Sequence, residues 1–119
     1  MAVLLAALAA LAVPFKVTFT APTHAPKVNE RWNYSVRAVD AGGKPLRARL
    51  SAQVVDPFGG VHPVEFGAST KNVVNIPFTG TFRDYVKWPP ESKGFRLRFR
   101  VSVRSSGKVV RLTYWIRPR

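Results

Sequence analysis

Eight arginines recur at alternate positions on three stretches: Arg47 and Arg49, then Arg96, Arg98, Arg100 and Arg104, then Arg111 and Arg117. A guanidinium stays charged at any physiological pH. Its planar fork holds phosphate or carboxylate through two parallel hydrogen bonds. Trp115 shares the alternation and offers a ring on which a base or a cation can stack. The chemistry these residue types suggest is anion binding. The candidate surface is Arg47, Arg49, Arg96, Arg98, Arg100 and Arg111, with Trp115 among them.

Other chemistries find less to work with. The histidines are His24 and His62, each beside a proline-containing segment. A metal site wants three or four ligands, and no His-x-His or His-Glu-x-x-His spacing exists, so no metal site is expected. The sequence has no cysteine, which excludes thiolate ligands, cysteine nucleophiles and disulfide scaffolds. Asp40 and Asp56 open turns, where aspartate caps its own backbone; they do not read as an acid/base pair. Gly42-Gly43 and Gly59-Gly60 read as turn glycines, because no helix follows to complete a phosphate cradle. Asn33-Tyr34-Ser35 matches the glycosylation pattern but falls inside a strand. The expectation is a non-enzymatic protein without catalytic residues or a cofactor.

The elements that must hold the arginines are strands. From Phe95 to Arg117 the chain reads as one long hairpin. Phe95, Leu97, Phe99, Val101 and Val103 alternate with Arg96, Arg98, Arg100, Ser102 and Arg104. Val110, Leu112, Tyr114 and Ile116 then alternate with Arg111, Thr113, Trp115 and Arg117. A period of two marks a half-buried strand. A two-residue turn at Ser106-Gly107 fixes the register and sets Ser105 against Lys108. Val103 then meets Val110, Val101 meets Leu112, Phe99 meets Tyr114 and Leu97 meets Ile116. The other face sets Arg98 against Trp115, where a cation–π pair would add about 0.5–1 kcal/mol. It also sets Arg96 against Arg117, a mildly unfavourable pairing.

The same alternation marks earlier strands. Phe15, Val17 and Phe19 form the first, Trp32 to Ala38 the second and Ala48 to Val54 the third. Val61 to Phe66 carries Pro63 and reads as an edge. Val73 to Phe78 and Thr81 to Trp88 are extended pieces on either side of Gly80. About seven short strands with regular turns and no amphipathic helix imply an all-β, antiparallel β-sandwich over residues 15–119. Residues 1–14 are uncharged and apolar, too short to span a bilayer comfortably. They suit a signal peptide or membrane-anchor segment, with small-x-small sites at Ala7-Leu8-Ala9 and Ala10-Leu11-Ala12. A short buried helix is the other account.

The stretch Trp32 to Leu46, a strand followed by Asp40-Ala41-Gly42-Gly43-Lys44-Pro45, resembles bacterial extracytoplasmic immunoglobulin-like domains. The resemblance implies an immunoglobulin-like sandwich and an extracytoplasmic location, secreted or membrane-anchored, but no ligand. The chain departs from the antibody pattern: it lacks the cysteine pair, Trp32 falls on the second strand, and no tyrosine corner precedes Phe95.

In such a sandwich the third strand shares a sheet with the last two, which would gather all eight arginines on one outward face. With 119 residues, 19 Lys+Arg against 6 Asp+Glu and a net charge of +13, anionic partners are expected. An anionic envelope polymer or acidic membrane surface leads, and a nucleic acid stacking on Trp115 is the alternative. The bland account is a solvated sheet face in a chain made basic by GC-rich codons.

Overall fold

The structure is a computed structural model that describes residues 15–119. The expected export segment, residues 1–14, lies outside the described residues. Eight strands follow in order: β1 (Lys16–Thr20), β2 (Arg31–Val39), β3 (Arg47–Val55), β4 (Val61–Pro63), β5 (Ile76–Thr79), β6 (Thr81–Lys87), β7 (Leu97–Ser105) and β8 (Lys108–Ile116). One 3-10 turn, Pro90–Ser92, precedes β7. All strand pairings are antiparallel. A three-stranded sheet has the order β1-β2-β6. A five-stranded sheet runs β4-β3-β7-β8, with β5 also pairing β3.

Period-two patterning decides which side of each strand is buried. In β2, Trp32, Tyr34, Val36 and Ala38 are buried while Arg31, Asn33, Arg37 and Ser35 face outward or lie at the margin. In β3, Ala48, Leu50, Ala52 and Val54 are buried, and in β7 Leu97, Phe99, Val101 and Val103. The two inner faces meet through aromatic rings. Phe99 of β7 lies edge-on to Trp32 at 5.4 Å and to Tyr34 at 4.9 Å. Phe19 of β1 reaches across to Tyr114 of β8 at 5.0 Å. Edge-to-face pairs of this kind add about 0.5–1.5 kcal/mol each beyond their buried area.

The β7–β8 hairpin has the register its sequence implies, from Ser105↔Lys108 through Phe99↔Tyr114 to Leu97↔Ile116. Ser106 and Gly107 both have positive φ, 49° and 74°, which is the two-residue turn whose twist matches that of the strands. Three expectations are corrected. Phe95 is not in the core: it is 46% exposed, because its amide bonds back to Ser92 and the ladder starts only at Leu97. Arg96 and Arg117 are consequently not a strand pair. Leu112 is half-buried and outside the core cluster: it lies on β8, the edge of the larger sheet, although Val110 and Tyr114 on the same strand pack against that cluster.

The edge beside β3 is split. β5 pairs Arg47 to Leu50, and β4 pairs Gln53 to Val55. Between them Val73, fully buried, accepts the Ala52 amide through its carbonyl. The sequence pieces Val61 to Phe66 and Val73 to Phe78 are therefore shorter strands than their apolar runs suggest. At Gly80 the chain leaves β5 in the larger sheet and enters β6 in the smaller one.

Candidate anion-binding face

The order β3-β7-β8 brings the alternate arginines to one outward side. Four rows cross the sheet. Arg49 stands opposite Arg104, and Arg104 opposite Val109. Next come Ser51, Ser102 and Arg111, then Gln53, Arg100 and Thr113. Arg98 faces Val55 on one side and Trp115 on the other. Arg47 opens β3 on the same side, and Arg117 follows β8. Of the candidates only Arg96 lies outside a strand, one residue before β7. Arg104 and Arg117 belong to the face as well.

No carboxylate lies on β3, β7 or β8. Among the described residues no lysine or arginine pairs with a carboxylate; the one His–carboxylate contact is His62 Nε2 with Asp56 Oδ2, at 2.7 Å. The arginines are steadied by neutral acceptors instead. Arg100 Nη2 donates to Gln53 Oε1 at 2.9 Å, and Arg49 Nη1 to the Asn75 carbonyl at 3.0 Å. Like charges directly opposed, as Arg49 and Arg104 are, cost about 0.2–1 kcal/mol in a sheet. The face therefore stands at a charge excess that an external anion would relieve.

Trp115 is 44% exposed, but its ring is already engaged. Its cation partner is Arg96, 5.0 Å from the ring centroid, and not the directly opposed Arg98. A side chain as long as arginine reaches the diagonal neighbour across a sheet, and Arg96 stands on that diagonal. His24 also stacks on Trp115 at 4.0 Å and on Tyr114 at 4.0 Å. His24 Nδ1–H donates to the Trp115 carbonyl at 2.6 Å. The Arg117 amide donates to the His24 carbonyl at 2.7 Å, and the Arg119 amide to that of Pro26. The proline-rich segment thus covers the C-terminal end of edge strand β8. His24 is no bare surface histidine, and only the neighbouring prolines hinted at a fixed segment.

His62 and Asp56 behave as their surroundings dictate. Asp56 accepts from the Phe58 and Gly60 amides at 2.8 Å each and from His62. Its bond to His62, with those amides, holds the carboxyl below the usual range. Asp40 likewise accepts from the Gly42 and Lys44 amides. Both are turn caps, as expected.

A feature the alternation conceals is Asp84, which points inward from edge strand β6 opposite Tyr34. Burial pushes its carboxyl above the ordinary value. Amide hydrogen bonds from Tyr85 and Gly67 and the Tyr34 hydroxyl offset this only in part. Burial, with the Asp84 charge, also pushes the Tyr34 phenol up. An inward-pointing charge is one way of keeping an edge strand from pairing with another chain.

Several concavities mark the surface of the described residues, and two bear on function. A shallow depression of about 280 Å³ lies on the arginine face over Ser51 and Ser102. A larger groove of about 890 Å³ lies near the β4 and β6 edges, with Phe58, Phe95, Val86 and Trp88 in its lining. Among the described residues, no group of three His, Asp or Glu side chains is placed to hold a metal. No helix among them is long and apolar enough to cross a membrane.

No family model matches the sequence, and no curated protein matches it. Among solved structures, the chain is similar to a DUF4466 family protein from Parabacteroides merdae. The TM-score is 0.52 at 18% identity, over 87% of this chain and 45% of that one. The likeness shows an all-β fold of antiparallel sheets. This chain spans less than half the length of that protein. A second solved structure is the Pseudomonas fluorescens alkylpurine DNA glycosylase AlkC bound to DNA containing an abasic site analog. It aligns with a TM-score of 0.45 at 14% identity, over 93% of this chain and 32% of that one.

Proposed function

We propose that this chain is a non-enzymatic, immunoglobulin-like module, exported or held at a membrane, that binds an anionic cell-envelope polymer. The immunoglobulin-like assignment is supported by connectivity: the first two strands share one sheet, while the third lies in the other beside β7, which in turn pairs β8. The binding assignment rests on one observation, the carboxylate-free outer face of β3, β7 and β8 with its unpaired arginines. Charge of one sign on a flat sheet meets a flexible polyanion over several contacts at once. The export assignment rests on the apolar run of residues 1–14.

Two measurements test the reading. Wild type and a variant with Arg47, Arg49, Arg96, Arg98 and Arg100 changed to lysine are compared on isolated envelope, acidic liposomes and DNA at two salt concentrations. Wild type should bind envelope, lose that binding steeply as salt rises, and outbind the lysine variant, which keeps the charge and loses the fork. Absence of binding at low salt would overturn it. N-terminal sequencing from the native host should show cleavage near Ala9 to Ala12, or the intact chain in membranes. The nucleic-acid reading uses the same arginines, with Trp115 beside them already engaged by Arg96 and His24; preferential binding to DNA over envelope would select it.

A further inference from the structure

The arginines are not spread evenly over their face. The second row carries two serines, Ser51 and Ser102, directly opposite each other and both half-buried. Short side chains there sink the surface, and the longer ones around them form a wall. Arg49 and Arg104 stand on one side, Arg100 on the other, and Arg111 closes the row beyond Ser102. The result is the depression of about 280 Å³ with four guanidinium groups at its rim. Its size falls just under the roughly 300–1,000 Å³ of sites for drug-sized ligands, so it suits one small group.

The rim is partly fixed in place. Ser51 Oγ accepts the Asn75 amide at 3.0 Å, and the Asn75 carbonyl accepts Arg49. Asn75 itself sits at φ 51°, in the left-handed region, next to the depression. Arg100 is anchored on Gln53. Two of the four arginines are therefore held by neutral partners that leave their charge uncompensated. Arg104 and Arg111 have no ion-pair partner among the described residues.

We propose that this depression is a discrete site for one tetrahedral oxyanion, a phosphate or sulfate ester group carried by the polymer. The site rests on the reading of the face as an anion binder and names what that face selects. Several arginine forks can share the oxygens of a tetrahedral dianion, whereas a carboxylate offers only two oxygens. The Ser102 hydroxyl adds a neutral donor at the floor.

The test titrates the whole chain with inorganic phosphate, sulfate and acetate at constant ionic strength, following the arginine Nε–H signals by NMR. Phosphate or sulfate should shift Arg49, Arg104 and Arg111 saturably and leave Arg98 and Arg117 in place. Acetate should bind less well. Ser102→Val fills the floor without changing charge, and a β-branched residue suits a strand. It should lower phosphate affinity by about tenfold or more, the order expected for lost charge-assisted hydrogen bonds. Arg104→Lys should do the same. Uniform, unsaturable shifts across all outward arginines in wild type would overturn the site, even if a variant failed to fold. So would a Ser102→Val protein that binds phosphate as wild type does; if both proteins still bound envelope, the broader face would survive alone. Saturable phosphate binding with no envelope binding would keep the site and remove the polymer reading.

Discussion

At the residue scale, the contrast between Phe99 and Arg100 shows how the sequence assigns inside and outside. Phe99 is fully buried against Trp32, Tyr34 and Phe19. Phe99→Ala should cost about 3–5 kcal/mol in chemical denaturation. Arg100→Ala, which loses one surface hydrogen bond, should stay within about 0.5 kcal/mol. Equal losses would mean the two faces are reversed. Asp84 shows what alternation hides. In the fold its carboxyl titrates above the ordinary 3.8, so just above 3.8 the folded protein keeps a proton that the unfolded chain has released. Its contribution to stability is thus greatest below 3.8 and falls as pH rises through the folded value. Asp84→Asn removes that loss. The variant should be at least as stable as wild type at neutral pH and give up its advantage as pH falls toward 3.8. A variant that instead gained ground on acidification would show that the fold favours the charged carboxylate.

At the scale of elements, the register of hairpin β7–β8 was legible, because apolar alternation on both limbs and a Ser-Gly turn agree on it. What adjoins it was not. Nothing in the alternation says that Phe95 falls before the ladder, since a turn bond from its amide to Ser92 ends the pattern. Nor does it show that β4 and β5 divide one edge, because both runs are apolar and only their lateral partners differ. Arg96 on Trp115 and His24 between the rings of Tyr114 and Trp115 depend on diagonal and sheet-edge contacts, which local patterning does not encode. The crossing between sheets was marked by Gly80, and the reason is geometric. Its φ is +76°, and a Cβ there would sit 3.0 Å from Pro45 Cβ. Its amide donates to the Leu46 carbonyl, and its own carbonyl accepts from Ala38. Gly80→Ala should destabilise by at least about 1–2 kcal/mol, the usual cost of left-handed backbone for an L-residue. A thermal midpoint unchanged from wild type would show that the crossing can relax.

At the scale of the whole molecule, charge opposes folding. A net charge of +13, with no lysine or arginine paired to a carboxylate among the described residues, leaves the compact state repelling itself. Compression of Arg47, Arg49, Arg98, Arg100, Arg104 and Arg111 onto one side of a sheet makes that repulsion local as well as global. Salt should therefore raise the melting temperature. Between about 0.01 M and about 0.15 M the screening length falls from roughly 30 Å to roughly 8 Å, so most of the gain should come within that range. Simple screening depends on ionic strength and not on the identity of the anion. A site over Ser51 and Ser102 adds a second contribution, because a ligand that binds the folded state alone stabilises it by mass action. At equal ionic strength, phosphate should then raise the melting temperature further in wild type than in Ser102→Val, while chloride raises both alike. Sulfate and phosphate also stabilise proteins generally by exclusion from their surface, so the difference between the two proteins is the quantity to read. A melting temperature indifferent to chloride would remove self-repulsion from the account of this fold. Equal responses of the two proteins to phosphate would leave the arginine face a diffuse basic surface with no preferred place for an anion.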